Sequence, residues 1–256
     1  MNFVTPKKRL GQHFLNDENI AIKISTSLEH STKRILEIGP GMGSLTKYLL
    51  KDWGKNLWVS EVDIEAVEYL KMHYPEIIPN IVYGDFLQLD FTSIFGTEKI
   101  SLIGNFPYNI STQILFKALE DRNTIVQVVG MFQKEVAKRI CSPPGNKDYG
   151  ILSVLIQAYY QTEYLFDVLP ASFNPPPAVN SGVIRLQRKS NQSLGCDEVL
   201  FKKVVKTAFN QRRKKLSNAL SGLLEGKKIN EEMGHKRAEQ LPWEDFVELT
   251  NEIDIK

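Results

Sequence analysis

Long apolar runs, clustered cysteines and clustered histidines are all absent from this sequence. The uncharged stretch at residues 149–162 is too short and too polar to cross a bilayer, and the first nine residues contain no apolar run typical of a secretory signal. The two cysteines, Cys141 and Cys196, lie far apart without metal-ligand spacing. These absences predict a reduced, cytoplasmic protein with no metal site and no membrane anchor.

Net charge is also small, at +2, but the charges are distributed unevenly. Residues 200–228 contain nine basic side chains and one acidic one, whereas residues 229–256 contain three basic and eight acidic side chains. A basic block beside an acidic tail is typical of a polyanion-binding face, although a solvated helix surface gives the same pattern.

Strand-like and helix-like runs alternate through the first two thirds of the 256 residues. The strand-like runs are 34–38, 57–61, 80–83, 100–104, 125–131, 163–168 and 182–188, with the last two expected to pair at a sheet edge. The helical runs between them are 44–51, 64–73, 111–119 and 134–140. This order predicts an α/β, Rossmann-like domain with a mostly parallel seven-stranded sheet and helices on both faces.

The remainder of the chain shows helical periodicity and no strand signal. Residues 198–209, 212–224 and 243–253 are predicted helices, and residues 189–196 are polar and aperiodic. We therefore expect a first domain at 1–188, a linker at 189–196 and a small all-helical domain at 197–256.

A loop with unusual chemistry follows the fourth predicted strand. Asn105, Phe106, Pro107 and Tyr108 combine an amide, a main chain stiffened by proline, and an aromatic ring. An amide oxygen and a neighbouring carbonyl can accept both hydrogens of an exocyclic amine, while a ring stacks on the base that carries the amine. A strand-ending turn with a core tyrosine is the plain alternative.

A glycine-rich turn and two acids predict a nucleoside site at the same sheet edge. Gly39 and Gly41 follow the first strand and let a ligand approach the main chain at a helix start. Glu61 ends the second strand, where a carboxylate can bind ribose hydroxyls, and Asp85 and Phe86 are placed to contact an adenine. Since neither a dinucleotide spacing nor a phosphate-loop lysine is present, the pattern favours S-adenosylmethionine over NAD or ATP.

Over nearly its whole length the chain resembles the ribosomal RNA adenine N6-dimethyltransferases, in particular their bacterial small-subunit branch. The resemblance is carried by residues 8–15, the Gly39 turn, the Asn105 loop, residues 133–137, residues 173–181 and residues 208–216. It implies a class I methyltransferase fold and cofactor contacts from His13 and Leu15. It also implies that Asn105 serves both the methyl donor and the target amine, and that Tyr108 and Phe173 enclose the target base. Phe106, where Leu or Ile is commoner, is expected to act through its carbonyl.

The implied substrate is a pair of adjacent adenosines in the loop of the 3′-terminal hairpin of small-subunit (16S) ribosomal RNA, methylated within a pre-30S particle by a monomer. Basic residues in three segments are the predicted RNA contacts: Lys7, Lys8, Arg9, Lys134, Lys138, Arg139, Arg212, Arg213, Lys214 and Lys215.

Three alternatives stay open at this point. One is an adenine methyltransferase acting on large-subunit RNA, as macrolide-resistance enzymes do, or on DNA. Another is a ribosome-assembly factor whose binding matters more than its chemistry. A glutamine or small-molecule methyltransferase would share the Asn105 loop but would have no use for a basic helix.

Overall fold

The computed structural model describes residues 4–190 and 193–254. Its strands in chain order are β1 (Phe14–Leu15), β2 (Arg34–Ile38), β3 (Leu57–Glu61), β4 (Ile81–Tyr83), β5 (Ile100–Asn105), β6 (Ile125–Gln133), β7 (Tyr160–Val168), β8 (Phe173–Asn174) and β9 (Ser181–Arg188). Its helices are α1 (Glu18–Thr26), α2 (Thr46–Trp53), α3 (Ile64–His73), α4 (Phe91–Phe95), α5 (Ser111–Glu120), α6 (Lys134–Cys141), α7 (Ile151–Gln157), α8 (Glu198–Asn210), α9 (Leu216–Ala219), α10 (Ser221–Leu224), α11 (Glu231–His235) and α12 (Trp243–Asp254).

Seven strands form one sheet in the order β4-β3-β2-β5-β6-β9-β7. The first five pair in parallel, and β9 joins β6 antiparallel. The strands β2 and β5 are buried over nearly their whole length, as expected for parallel strands covered on both faces. The predicted seven-stranded, mostly parallel sheet is therefore confirmed.

The strand order reverses direction between β2 and β5. The chain runs outward from β2 through β3 to β4, and then returns to add β5 and β6 on the other side of β2. At such a switch point the loops after neighbouring strands diverge and leave a crevice at the carboxyl ends of the strands. This crevice is where the structure places the candidate site.

The chain divides into two compact units, each made of two chain segments. The first contains residues 1–137 and 163–188, and the second contains residues 138–162 and 189–256. The predicted first domain at 1–188 differs from this division, because the segment 138–162 packs with the C-terminal helices. Within the second unit α7 contacts both α8 and α12.

The predicted linker at 189–196 is only partly described, because Asn191 and Gln192 lie outside the described residues. Lys189 is bound within the second unit: its main-chain N–H donates to Tyr159 O at 2.9 Å, and its ammonium group lies 4.3 Å from the Trp243 ring centroid. The linker therefore begins as a packed segment rather than as a free tether.

The helix predicted at 212–224 is confirmed only in part. Residues 212–215 are not helical, and the helical backbone begins at Leu216, with a break between α9 and α10. Leu216 and Leu220 are fully buried, so the apolar periodicity was detected correctly. The four basic residues at 212–215 precede that helical backbone and are not part of it.

Candidate active site

A pocket of about 210 Å³ lies at the carboxyl ends of the parallel strands in the first unit. Its walls are the loops after β2, β3, β4 and β5 and the N-terminal segment at residues 10–14. The lining residues are Leu10, Gly11, Gln12, His13, Phe14, Ile38, Gly39, Gly41, Ser60, Glu61, Val62, Gly84, Asp85, Phe86, Asn105, Phe106, Pro107, Tyr108, Asn109 and Ile110. The structure thus brings the glycine turn, both acids and the Asn105 loop together at one pocket.

The turn after β2 depends on glycine. Gly39 and Gly41 have φ values of 64° and 55°, in the left-handed region that other residues rarely adopt. A Cβ atom on Gly41 would also lie 2.9 Å from the Phe14 ring. The turn therefore needs glycine both for its backbone and for the approach of the N-terminal segment.

Glu61 is buried and is held by three main-chain donors. Gly41 N–H donates to its Oε2 at 3.1 Å, and the N–H groups of Val62 and Asp63 donate to its Oε1 at 2.8 and 2.9 Å. Burial raises the pKa of Glu61, and these hydrogen bonds oppose the rise. Because Oε2 accepts only one of these three hydrogen bonds, it retains capacity to accept another.

Asp85 and Phe86 follow β4 and differ in exposure. Asp85 is exposed and its Oδ1 accepts from Leu87 N–H at 3.0 Å, whereas the Phe86 ring is buried and packs edge-on against Phe91. One carboxylate oxygen thus caps the local turn, and the residue still lines the pocket beside an apolar wall.

The side-chain amide of Asn105 has a defined orientation. Its Nδ2 donates to the main-chain carbonyl of His13 at 2.8 Å. A carbonyl can only accept, so the nitrogen must face His13 and the Oδ1 atom must face away from it. The N-terminal segment therefore leaves the Asn105 oxygen available as an acceptor at the pocket.

The His13 side chain is oriented in a similar way. Its Nδ1 lies 2.8 Å from the carbonyl oxygen of Pro175, which requires a proton on Nδ1. The imidazole lies 5.6 Å from the Tyr108 ring, centroid to centroid, at an angle of 32°. His13 thus lines the pocket as predicted and bridges the Asn105 loop to the loop after β8.

Phe106 is seated in a space left by two glycines. Gly104 and Gly130 are register partners on β5 and β6, and added Cβ atoms there would approach the Phe106 ring to 2.9 and 2.2 Å. The ring is 1% exposed. The packing of this ring against Gly104 and Gly130 fixes the main chain of the loop, including the Phe106 carbonyl that was predicted to accept a hydrogen bond.

The Tyr108 ring is held at its far end. Its hydroxyl hydrogen-bonds to the hydroxyl of Ser181, a fully buried residue at the start of β9. Burial raises the pKa of Tyr108, so the phenol is neutral at physiological pH. The predicted role of Tyr108 as a stacking ring fits this position, and Ser181 was missed by sequence analysis.

Leu15 and Phe173 do not line the pocket. They pair with each other in the two-stranded sheet formed by β1 and β8, and both side chains belong to the hydrophobic core at 4% exposure. The predicted cofactor contact of Leu15 and the predicted base contact of Phe173 stay predictions, because neither residue lines the pocket in this structure.

Lys7 has a structural partner rather than a free ammonium group. It forms ion pairs with Asp63 at 2.5 Å and Glu65 at 3.1 Å, and the hydrogen bond with Asp63 raises its pKa. Asp63 also accepts from Gln12 at 3.3 Å, and these bonds outweigh burial so that the pKa of Asp63 is lowered. The residue predicted to bind RNA thus fastens the N-terminal segment to α3.

The other predicted RNA contacts fall into two groups. Three are engaged within their own units: Lys134 with Asp167, Arg212 with Glu239, and Lys215 with His235. The remaining six are exposed and form no ion pair with another described residue: Lys8, Arg9, Lys138, Arg139, Arg213 and Lys214. Only these six are available to phosphates without breaking an existing contact.

A further buried acid was not assigned a role from the sequence. Glu37, on β2, is 1% exposed, and its Oε2 accepts from the Thr46 hydroxyl at 2.6 Å. Burial raises the pKa of Glu37 to about 8. Its place directly before the Ile38-Gly39 turn was the only signal that could have suggested a role at the site.

The polar groups that line the pocket fit an adenosine-based methyl donor. Two carboxylates line it, and among the described residues no lysine or arginine does. Such a lining suits hydroxyl and amine donors or a cation, and offers nothing to neutralise a phosphate. Within the described part of the chain there is also no group of three or more His, Cys, Asp or Glu placed to hold a metal, and no helix long and apolar enough to cross a membrane.

Comparison with known proteins decides the family. The model of a family described as ribosomal RNA adenine dimethylase matches residues 4–254. The chain belongs to this family. Two curated members share about half of its residues: ribosomal RNA small subunit methyltransferase A of Cytophaga hutchinsonii is 51% identical over 100% of both chains, and that of Flavobacterium johnsoniae is 52% identical over 99% of this chain and 98% of its own.

Solved structures show the same fold for the dimethylase family. A dimethyladenosine transferase from Plasmodium falciparum superposes with a TM-score of 0.79 at 25% identity, covering 94% of this chain and 98% of that one. The 23S rRNA methyltransferase ErmE superposes with a TM-score of 0.71 at 22% identity, covering 94% and 100%. The predicted family and the predicted class I methyltransferase fold are confirmed, and the chain is an rRNA adenine dimethyltransferase by family.

Proposed function

We propose that this dimethylase uses S-adenosylmethionine to convert two adjacent adenosines, in the loop of the 3′-terminal hairpin of small-subunit ribosomal RNA, to N6,N6-dimethyladenosine. The observation that carries the proposal is the Asn105 amide at the pocket: its Nδ2 donates to the His13 carbonyl, which leaves Oδ1 as an acceptor, and no described lysine or arginine lines the pocket. The names of the curated relatives, about 50% identical over the full chain, favour the small subunit as the substrate.

Four groups would hold the cofactor. Glu61 Oε2 has an acceptor site for ribose hydroxyls, Asp85 offers a carboxylate oxygen to an adenine amine, and Phe86 provides an apolar wall. The Gly39 turn lets a ligand approach its main chain closely, because its glycines carry no side chain. When bound, S-adenosylmethionine supplies an activated methyl group for transfer to a nitrogen nucleophile.

The chain's own contribution is to position the target amine. Asn105 Oδ1 and the Phe106 carbonyl would accept its two hydrogens, which favours a pyramidal nitrogen with a lone pair free to attack. Tyr108 would stack on the base. Near-attack positioning can supply about 7–11 kcal/mol of the barrier reduction. A strong base is not required, because the methylated amine is cationic and loses its proton readily.

RNA binding in this proposal depends on the exposed basic residues. Lys8 and Arg9 in the first unit and Lys138, Arg139, Arg213 and Lys214 in the second would contact phosphates. Such contacts position the RNA and carry little sequence information. Unstacking the target adenosine costs least in a hairpin loop, where the base is not paired. In this proposal the substrate is a cytoplasmic pre-30S particle and the enzyme acts as a monomer.

The test is methyl transfer from labelled S-adenosylmethionine to under-methylated small subunits, with naked RNA and large subunits as parallel substrates. The expected result is dimethyladenosine at two adjacent positions near the 3′ end of the small-subunit RNA, abolished by Asn105→Ala. Label confined to large subunits would indicate the resistance-type activity instead. Normal particle binding and maturation with Asn105→Ala would indicate an assembly factor whose chemistry is secondary.

A further inference from the structure

The hydroxyl of Ser181 is buried at the far end of the Tyr108 ring, on a different strand from the catalytic loop. Tyr108 follows β5, whereas Ser181 begins β9, and β6 lies between these strands in the sheet. The hydrogen bond between the two hydroxyls therefore spans the end of β6. Ser181 is fully buried, so its hydroxyl makes this contact inside the protein rather than with solvent.

A tyrosine side chain without other contacts can rotate about two bonds, Cα–Cβ and Cβ–Cγ. Here the loop that carries the ring is stiffened by Pro107 and seated by Phe106, and the phenol oxygen is bound to Ser181. The His13 imidazole lies against the ring at 5.6 Å. The ring is thus constrained at both ends and contacted by a neighbouring ring.

We infer that Ser181 is a positioning residue for methyl transfer: its hydroxyl holds the Tyr108 ring in the orientation on which the target base stacks. The inference rests on the proposed function, in which Tyr108 is the stacking ring. Ser181 does not touch the substrate and acts only through the phenol, so its contribution must vanish when the phenol oxygen is removed.

A double-mutant cycle tests this dependence. The variants are Ser181→Ala, Tyr108→Phe, which keeps the ring and removes only its oxygen, and the two together. Ser101→Ala is the matched control, because Ser101 is also fully buried in the sheet and its hydroxyl contacts Thr32 instead. Urea unfolding of each variant verifies that the protein is folded at the assay temperature.

Two readouts are compared. One is KM and kcat for methylation of small subunits. The other is quenching of 2-aminopurine placed at the target position of a hairpin RNA, which reports stacking without any methyl transfer. We expect Ser181→Ala and Tyr108→Phe each to weaken stacking and raise KM by about three- to tenfold, the ratio that one neutral hydrogen bond supplies. The double variant should match either single variant.

Multiplicative effects of the two substitutions on KM would overturn the inference. So would a Ser181→Ala protein that quenches 2-aminopurine as strongly as the Ser101→Ala control. Failure of the proposed function has a different signature, since the wild-type protein would then not methylate small subunits at all. A wild-type enzyme that methylates normally, with a multiplicative cycle, refutes the role of Ser181 alone.

Discussion

Replacement of Gly130 by alanine should disturb the catalytic loop from a position that touches no substrate. A Cβ atom on Gly130 would lie 2.2 Å from Phe106 Cε2, 2.8 Å from Phe106 Cδ2 and 2.9 Å from Phe132 Cε2. All three distances are shorter than any normal contact. Since Phe106 is fully enclosed, its ring must move, and its carbonyl belongs to the same loop.

The size of the effect follows from two opposing contributions. Overpacking a well-packed core lowers the free energy of unfolding by about 1–3 kcal/mol. Replacement of glycine by alanine raises it by about 0.4–1 kcal/mol, because alanine restricts the unfolded chain. Gly130→Ala should therefore lower the free energy of unfolding by about 1–2 kcal/mol. Methyl transfer should fall further, by about 10²-fold, because a displacement near 1 Å in the reacting groups has that effect.

The compensating variant makes the reasoning specific. Leucine at position 106 has no counterpart of Phe106 Cε2, the atom nearest the new methyl group, so Phe106→Leu combined with Gly130→Ala should recover stability relative to Gly130→Ala alone. Gly222→Ala is the matched control, because nothing lies within 4 Å of a Cβ atom there. Urea denaturation and the small-subunit methylation assay measure both quantities. Normal stability and activity of Gly130→Ala would refute the proposed packing of Phe106 against Gly130. A further loss of stability on adding Phe106→Leu to Gly130→Ala would also refute it.

Three other perturbations have clear expected outcomes. The pKa of Glu37 is raised to about 8, so the folded protein keeps a proton that the unfolded chain loses. The free energy of unfolding should therefore fall as pH rises from about 4.5 to 8. Glu37→Gln should flatten this slope in urea titrations across that range. Asn105→Asp places a carboxylate oxygen against the His13 carbonyl and should reduce methyl transfer at least as strongly as alanine does, in the same assay. Arg213→Ala should lower the salt dependence of RNA binding by about one phosphate contact, whereas Lys134→Ala should change it little, because Lys134 is paired with Asp167.

Local patterns were sufficient to predict much of the first unit. The predicted bounds of β2, β3 and α3 agree with the structure, since each has a strong apolar period and a turn or cap at its ends. The helix α7 escaped detection because five of its seven residues are buried, which removes the polar face that reveals an amphipathic helix.

Long-range partners are what the sequence could not show. Lys7 and Asp63 are 56 positions apart, and Tyr108 and Ser181 are 73 apart. No periodicity connects such residues, so Lys7 was assigned to RNA by its charge alone and Ser181 was given no role. The burial of Phe173 likewise depends on the pairing of β1 with β8, two strands of two residues each that carry no pattern.

The discontinuity of the second unit has a consequence for the order in which the chain is made. Residues 138–162 leave the ribosome before the helices α8 and α12 that pack on α7 have been translated. At about 5–20 residues per second, the last of these helices follows α7 by roughly 5–20 s. During that interval the surface of α7 that packs on α12 lacks this native partner. A fragment that stops at residue 188 would lack both α8 and α12, and the α7 surfaces that pack on them would remain without these partners.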